Sequence, residues 1–283
     1  LLAALRRGEN LVKLDDGTYG MLPEEWLSKY GLLVGLGDVN GDQLRFKKAQ
    51  LGMLDALLAS QPEAEFDENF ARACEEMKAF EGVGPLEPPE GFIGELRPYQ
   101  REGLGWIGFL EKFNFGGCLA DCMGLGKTVQ VLAWLEMRRQ LRSGEIQGTV
   151  RGDKADPSIP QSSVPPSLVV VPKSLVFNWK QEATKFAPKL RVLDHTGHER
   201  GNIAEQLNDY DLILTTYGTL RNDAIEFKDV RFDYIILDEA QAIKNADTAS
   251  SKAARLLKGN HRLALSGTPI ENHLGELWSL FEF

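Results

Sequence analysis

The chain has 283 residues, 43% of them hydrophobic and 26% charged, a balance suited to one large buried core or two smaller ones. No stretch stays apolar and uncharged over the about 18 residues that a membrane-spanning helix needs, so no membrane partner is expected. The formal charge of −9 speaks against a uniformly basic nucleic-acid binder, yet it is uneven: residues 1–90 hold 9 basic and 17 acidic side chains, and residues 91–283 hold 23 and 24. A near-neutral part can still present a local basic face, so charge neither supports nor excludes DNA.

The opening Leu1–Arg7 places its charges after its apolar residues, the wrong order for a signal peptide. It lacks an initiator methionine and reads as a helix entered midway, so the chain is expected to be part of a longer protein. Cys74, Cys118 and Cys122 form neither a metal spacing nor a disulfide framework, and are expected to be free thiols in a reducing cytoplasm. Asn10–Leu14, the turn Asp15-Asp16-Gly17 and Thr18–Leu22 predict a hairpin. Pro23–Leu27 predicts a helix start, with proline and two acids in its first turn. Residues 44–60 and 66–80 predict two amphipathic helices, broken at Gln61-Pro62. Gly82–Pro89 has the composition of a linker. Residues 1–90 therefore read as a small acidic α+β accessory module. It shows no catalytic constellation, and a scaffold or docking role fits it best.

A second domain is expected over 91–283. Leu104, Trp106, Ile107 and Leu110 predict a helix starting near Pro98. Gln100 in its first turn has an amide able to pair with N6 and N7 of an adenine; taken alone it reads as a solvated glutamine. The apolar run Gly116–Leu119 leads into Asp121-Cys122-Met123-Gly124-Leu125-Gly126-Lys127-Thr128, and a strongly apolar helical pattern follows. Strand, glycine turn, Lys-Thr and helix is an arrangement that holds a nucleotide triphosphate. Backbone N–H groups of the turn face the phosphates, Lys127 reaches the β- and γ-phosphates, and the Thr128 hydroxyl ligates Mg²⁺. The strict pattern fails at its first position, where Asp121 replaces glycine. Residues 143–167 are rich in Ser, Pro, Gly and Asp, and predict a flexible insertion.

Leu168–Val171 predicts a strand buried on both faces, with Pro172-Lys173-Ser174 at its end. Val176–Phe186 is amphipathic. Strands follow at Arg191–Leu193 and Asp211–Tyr217, with a helix near 200–208 between them. Phe232–Leu237 is a strand ending in Asp238-Glu239-Ala240-Gln241, and His261–Leu265 runs into Ser266-Gly267-Thr268-Pro269. Strands alternating with helices imply a parallel α/β sheet covered on both faces, a P-loop NTPase architecture, with ligands at the carboxyl ends of the strands. At that edge Asp238 can hold Mg²⁺ opposite Thr128, and Glu239 can polarise the attacking water. Gln241 and Ser266-Gly267-Thr268 are placed to hydrogen-bond across the site and couple nucleotide state to a neighbouring lobe.

These segments together resemble the helicase-like ATPases of superfamily 2, and within them the Swi/Snf family. The resemblance rests on Leu96–Gln100, Asp121–Thr128, Val170–Leu175, Asp238–Gln241 and Leu265–Asn272, and it covers residues 91–283. It implies a RecA-like first lobe, ATP and Mg²⁺ as cofactors, and double-stranded DNA as partner. Arg97, Gln100, Met123, Gly124, Leu125, Gly126, Lys127, Thr128 and Gln241 then contact the nucleotide; Thr128 and Asp238 hold the metal; Lys127, Asp238 and Glu239 are catalytic. Lys173, Ser174, Asn178 and Trp179, with Thr216, Tyr217 and Gly218, correspond to segments that touch a DNA backbone. Taken singly, Lys173 reads equally well as a surface lysine and Thr216 as a strand-end hydroxyl. Cys122 stands where the family usually has an acid, and Gln241 where the DEAH form has histidine.

The family motor has a second RecA-like lobe whose arginines face the γ-phosphate, and this lobe is absent from the chain. The full-length protein is therefore expected to be a DNA-dependent ATP hydrolase and duplex translocase, nucleoid-associated in the cytoplasm of a bacterium, with residues 1–283 alone almost inactive. Two other readings remain: a strand-separating helicase, and an ATP-gated module docking on RNA polymerase or another DNA-associated complex.

Overall fold

The computed structural model describes residues 11–13, 19–21, 38–40, 43–46, 50–58, 68–80, 82–146, 164–197, 200–270 and 274–283. They divide into two units, Leu1–Gly82 and Val83–Phe283. Among the described residues no helix is long and apolar enough to cross a membrane.

In the first unit β1 (Leu11–Lys13) pairs antiparallel with β2 (Tyr19–Met21), Leu11 facing Met21, where the alternation and turn predict a hairpin. A second hairpin, β3 (Asp38–Asn40) with β4 (Gln43–Arg45), corrects the helix expected from residue 44. With Asn40 opposite Gln43, the two residues between the strands are Gly41-Asp42, a glycine-first hairpin signal that outweighs the helical pattern there. The helices are α1 (Leu51–Leu58) and α2 (Glu68–Lys78), joined by an exposed bond from Lys78 Nζ to Asp55 Oδ1 of 3.0 Å. The helix start expected at Pro23–Leu27 lies outside the described residues.

The division falls at Gly82, the first residue of the stretch read as a linker. Residues 83–92 lie along the first helix of the second unit, α3 (Pro98–Phe113): the Leu86 N–H donates to the Arg101 carbonyl at 3.0 Å. A Cβ on Gly105 would stand 1.9 Å from the Gly84 carbonyl oxygen, so the approach of these two backbones requires glycine at 105.

Six parallel strands form the central sheet, in the order β5-β10-β9-β6-β8-β7. They are β5 (Gly117–Leu119), β6 (Ser167–Val171), β7 (Val192–Asp194), β8 (Leu212–Thr216), β9 (Arg231–Leu237) and β10 (Lys258–Leu265). Helix α4 (Lys127–Ser143) follows β5, and α5 (Val176–Phe186) follows β6; the short α6 (Ile203–Gln206), α7 (Tyr217–Asn222) and α8 (Ala224–Phe227), then α9 (Ala249–Leu256) and α10 (Leu274–Glu282), complete the unit. Period-two alternation sends strand side chains into two cores. Val169, Val171, Ile236 and Leu265 pack with Leu104 of α3, Leu132 of α4 and Trp179 of α5 on one face. Leu168, Val170, Ile235 and Leu237 pack with Leu220 of α7, Phe227 of α8 and Ala254 of α9 on the other. Continuous apolar strands buried on both sides are what a parallel sheet between two helical layers requires. Helix α4 ends at Gly144, whose φ of 75° is a left-handed cap. Of the insertion expected over 143–167, residues 147–163 lie outside the described residues.

Register decides where the site lies. Leu119 is opposite Leu265, Leu237 is opposite Ala264 and Val170, and Val171 is opposite Thr216. The segments after β5, β10, β9, β6 and β8 therefore leave the sheet side by side along its carboxyl edge.

Candidate functional site

The loop between β5 and α4 turns through two glycines with left-handed backbones, Gly124 at φ 83° and Gly126 at φ 78°. A side chain at either would be strained by about 1–2 kcal/mol. At Gly126 it would also meet the Gln100 amide nitrogen at 2.6 Å. Lys127, the first residue of α4, folds back over the loop, its Nζ donating to the Asp121 carbonyl at 2.7 Å and to the Cys122 carbonyl at 3.5 Å. An incoming phosphate would compete with those two carbonyls for the ammonium. Asp121, the departure from the strict phosphate-loop pattern, has a structural job: its Oδ2 accepts from Nε2 of Gln130, which is fully buried on α4. Helix α3 closes the loop from behind, Tyr99 Oη and Gln100 Nε2 each donating to the Leu125 carbonyl at 3.0 Å. Gln100 Oε1 accepts the Arg97 N–H at 2.9 Å, while the Arg97 side chain is exposed. The buried amide thus makes two protein bonds and retains one N–H and one lone pair. Thr128 is half-buried, and Met123 and Cys122 are exposed.

At the end of β9 the Asp238 carboxylate is 6% exposed and accepts two N–H groups, Trp179 Nε1 on Oδ2 at 2.8 Å and the Glu239 backbone on Oδ1 at 2.9 Å. Burial pushes its carboxyl above the usual range, against the pull of those donors. No ion pair holds it among the described residues. A magnesium ion carried with a nucleotide takes most of its ligands from phosphate and water, and one or two from protein oxygens. A buried carboxylate without an ion pair, on the same sheet edge as the loop that carries Thr128, fits that demand. Glu182, one turn along α5 from Trp179, has a buried Oε2 with no hydrogen-bond partner, and burial followed by the Asp238 charge pushes its carboxyl up.

Glu239 takes the left-handed region, at φ 47°. Strain at a non-glycine residue persists when its surroundings fix it, and it gathers at functional sites. Here Gln241 Nε2 donates to Glu239 Oε2 at 2.7 Å. The same amide accepts the Ser266 hydroxyl at 3.2 Å, and Ser266 Oγ in turn accepts the Thr268 N–H at 3.1 Å. Gly267 lies against Met123, whose Cγ would be 3.2 Å from an added Cβ. The ends of β9 and β10 and the loop after β5 are thus brought together. Glu271 and Asn272 lie outside the described residues.

The segments expected to meet DNA divide in two. Lys173, Ser174, Asn178 and Gly218 are exposed, and Phe177 among them is 70% exposed. Trp179, Thr216 and Tyr217 are not: they are 2%, 9% and 9% exposed. Trp179 spends its indole N–H on Asp238, Tyr217 Oη donates to the Asp238 carbonyl at 2.8 Å, and Thr216 Oγ1 accepts the Thr219 N–H as the N-cap of α7. Burial puts these three side chains inside the core, where the sequence reading expects segments that touch a DNA backbone. The apolar stripe Val176, Trp179, Ala183 and Phe186 at helical spacing places Trp179 on the inner face of α5, apart from its neighbour Asn178. The roles of Gln130 and Tyr99 carry no local sequence signal, since each acts through a bond to a loop residue outside its own helix.

The SNF2-related domain family matches residues 99–283. The chain belongs to this family. YwqA of Bacillus subtilis (strain 168), named as an ATP-dependent helicase/translocase, is 41% identical over 73% of this chain and 21% of its own length. Human TATA-binding protein-associated factor 172 is 41% identical over 69% of this chain and 10% of its own. A solved Sulfolobus solfataricus SWI2/SNF2 ATPase core in complex with double-stranded DNA is similar with a TM-score of 0.58 and 41% identity, over 70% of this chain and 37% of that one. The chain therefore spans a small part of these curated relatives, and its parallel six-stranded sheet is the RecA-like fold of an SNF2 ATPase core.

Proposed function

We propose that residues 83–283 form the ATP-binding lobe of a DNA-dependent ATPase that moves along duplex DNA. The observation that carries this is the chain of bonds from Glu239 through Gln241 to Ser266, which joins the acidic strand end to the loop beside the phosphate turn. In this reading the loop N–H groups and Lys127 bind the phosphates, Thr128 and Asp238 hold Mg²⁺, and the remaining N–H and lone pair of Gln100 meet an adenine. Bound Mg²⁺ neutralises charge on the phosphates. Glu239, held by Gln241, takes a proton from the attacking water. Gln241, Ser266, Gly267 and Thr268 transmit nucleotide state to a second lobe. Lys173, Ser174, Asn178 and Gly218 are exposed where β6 and β8 end, and would meet phosphates without reading bases. The double-stranded DNA in the similar archaeal complex supports the choice of duplex as substrate.

The test is ATP hydrolysis by the full-length protein with duplex DNA, single-stranded DNA and RNA compared. Duplex is expected to stimulate most, and Lys127→Ala to lower the rate by about 10²–10³-fold or more. Residues 1–283 alone are expected to be nearly inactive, since an arginine facing the γ-phosphate is worth about 10³–10⁵ in related systems. Vigorous duplex-stimulated turnover by residues 1–283 would overturn the assignment of catalysis to a closed pair of lobes. Equal stimulation by all three nucleic acids would overturn the duplex assignment.

A further inference from the structure

Asp238 is gripped from two sides. Trp179 holds one carboxylate oxygen from α5, and Tyr217 holds the main-chain carbonyl from the start of α7, each at 2.8 Å. Each of these residues directly adjoins an exposed one: Asn178 precedes Trp179 in the first turn of α5, and Gly218 follows Tyr217 in α7. The two segments leave neighbouring strands, β6 and β8, and β6 lies beside β9. Each therefore shows solvent a polar surface and sends its next side chain to the same acid. The grip is stiff. Trp179 is 2% exposed in the core between α5 and the sheet, and Tyr217 is 9% exposed. Both are large aromatic bodies with a single polar atom, which is spent on Asp238. A displacement of either segment by a ligand on its outer face must move these donors or strain them, because a packed core deforms in discrete steps.

We propose that Trp179 and Tyr217 are positioning residues that couple occupancy of the exposed Lys173–Asn178 and Gly218 surface by duplex DNA to the placement of Asp238 for the Mg²⁺-bound nucleotide. The proposal rests on the DNA and nucleotide reading given above. Neither residue touches DNA or nucleotide. Each acts through Asp238. Coupling of this kind is reciprocal, so DNA must tighten nucleotide by the same factor by which nucleotide tightens DNA.

The experiment measures that factor on the full-length protein. Equilibrium affinities are taken for a fluorescent ADP analogue with Mg²⁺, for a short labelled duplex, and for each in the presence of the other. Trp179→Phe keeps an aromatic ring in the core, removes the N–H and leaves part of the indole's buried volume empty. Tyr217→Phe removes only the hydroxyl. A parental coupling factor in the ordinary range of about 5–150-fold is expected to fall by about fivefold or more in each variant. The affinity for duplex without nucleotide is expected to change little, and the melting temperature without ligands to fall in both variants, more in Trp179→Phe, because a buried acceptor loses its donor and the smaller ring leaves a gap. Aromatic residues that merely fill the core would leave the factor unchanged however far the melting temperature falls. Full parental coupling in both folded variants would overturn the inference. Should Trp179→Phe fail to fold, undiminished coupling in Tyr217→Phe is enough to overturn it. Failure of the parental protein to bind duplex or nucleotide overturns the underlying reading and the inference together, and that outcome is visible before any variant is made.

Discussion

Two buried acids stand at opposite ends of β9 and are treated in opposite ways. Asp233, 1% exposed near the amino end, receives both Nε and Nη2 of Arg138, at 2.7 and 2.9 Å. The same guanidinium donates to Glu111 of α3 at 2.6 Å, and Tyr234 Oη donates to the other Glu111 oxygen at 3.2 Å. Although burial opposes it, the charges of Asp233 and Glu111 raise the pKa of Arg138 and hold it as a cation. Asp238, at the carboxyl end, is nearly as buried and receives only N–H dipoles. One end of the strand satisfies its charges from within, tying α3, α4 and β9 together. The other leaves a carboxylate short of a cation beside a strained glutamate and an unpartnered Glu182 oxygen. The amino end holds the fold with its own charges, and the carboxyl end, on the function proposed above, is where a ligand would complete the set.

The sharpest way to break this contrast is to remove one partner at each end. Arg138→Met leaves two carboxylates buried without their cation, and is expected to cost about 3–5 kcal/mol. Asp238→Asn removes a buried charge while giving up one acceptor, so its two effects oppose and the stability change should stay within about 1 kcal/mol. Its hydrolysis in the full-length protein should nevertheless drop by about 10²–10³-fold. Urea unfolding of the two variants, set beside ATPase rates, checks both halves. Comparable destabilisation by the two substitutions would erase the distinction between the ends.

Gly126→Ala sharpens the comparison at the carboxyl edge, where the cost should be local. The left-handed backbone costs about 1–2 kcal/mol for a non-glycine residue, and the new Cβ stands 2.6 Å from Gln100 Nε2. Global stability should fall by about that amount, and affinity for a Mg²⁺-bound nucleotide should fall more, because the Gln100 bond to the Leu125 carbonyl is displaced. Unchanged nucleotide affinity, measured by fluorescence titration, would remove Gln100 and the loop from the site.

The sheet was largely legible because a parallel strand buried on both faces is a plain apolar run. Leu168–Val171 and Phe232–Leu237 announce themselves, and the polar clusters that follow them mark the ligand edge. The phosphate loop and the acid pair were legible as residue types at strand ends. Three things were not. Strand order depends on crossovers, so the sequence could not say that β10 lies between β5 and β9 and brings Ser266 to Gln241. Side-chain direction in a helix as short as α7 is set by tertiary packing, so the burial of Tyr217 carries no periodic signal, whereas Trp179 sits on the apolar stripe of α5. The short β3–β4 hairpin was hidden by residues that also suit a helix, although Gly41-Asp42 signalled it.

A smaller effect tests whether incompleteness extends along the edge to β7. His195 follows that strand, is 1% exposed, and has no hydrogen-bond partner on either ring nitrogen. It meets Phe227 edge-on at 5.5 Å, and Asp223 Oδ2 lies 3.8 Å from its Nε2. That carboxylate is already engaged by Arg200 Nε at 2.5 Å. Burial therefore holds the His195 pKa below 6.5, and Arg200 adds to this while Asp223, Glu226 and Asp194 oppose it. The sign follows. As pH falls below 6.5 the unfolded chain takes up a proton that the folded chain refuses, so stability declines with acidification until the folded pKa is passed. His195→Leu should flatten this part of the stability curve and leave the protein at least as stable near neutral pH, because it buries no polar atom. Urea unfolding from about pH 8 to about pH 5 reads the slope directly. An unchanged slope in the variant would show that Asp223 compensates His195 in full, and that β7 belongs with the satisfied end of the sheet.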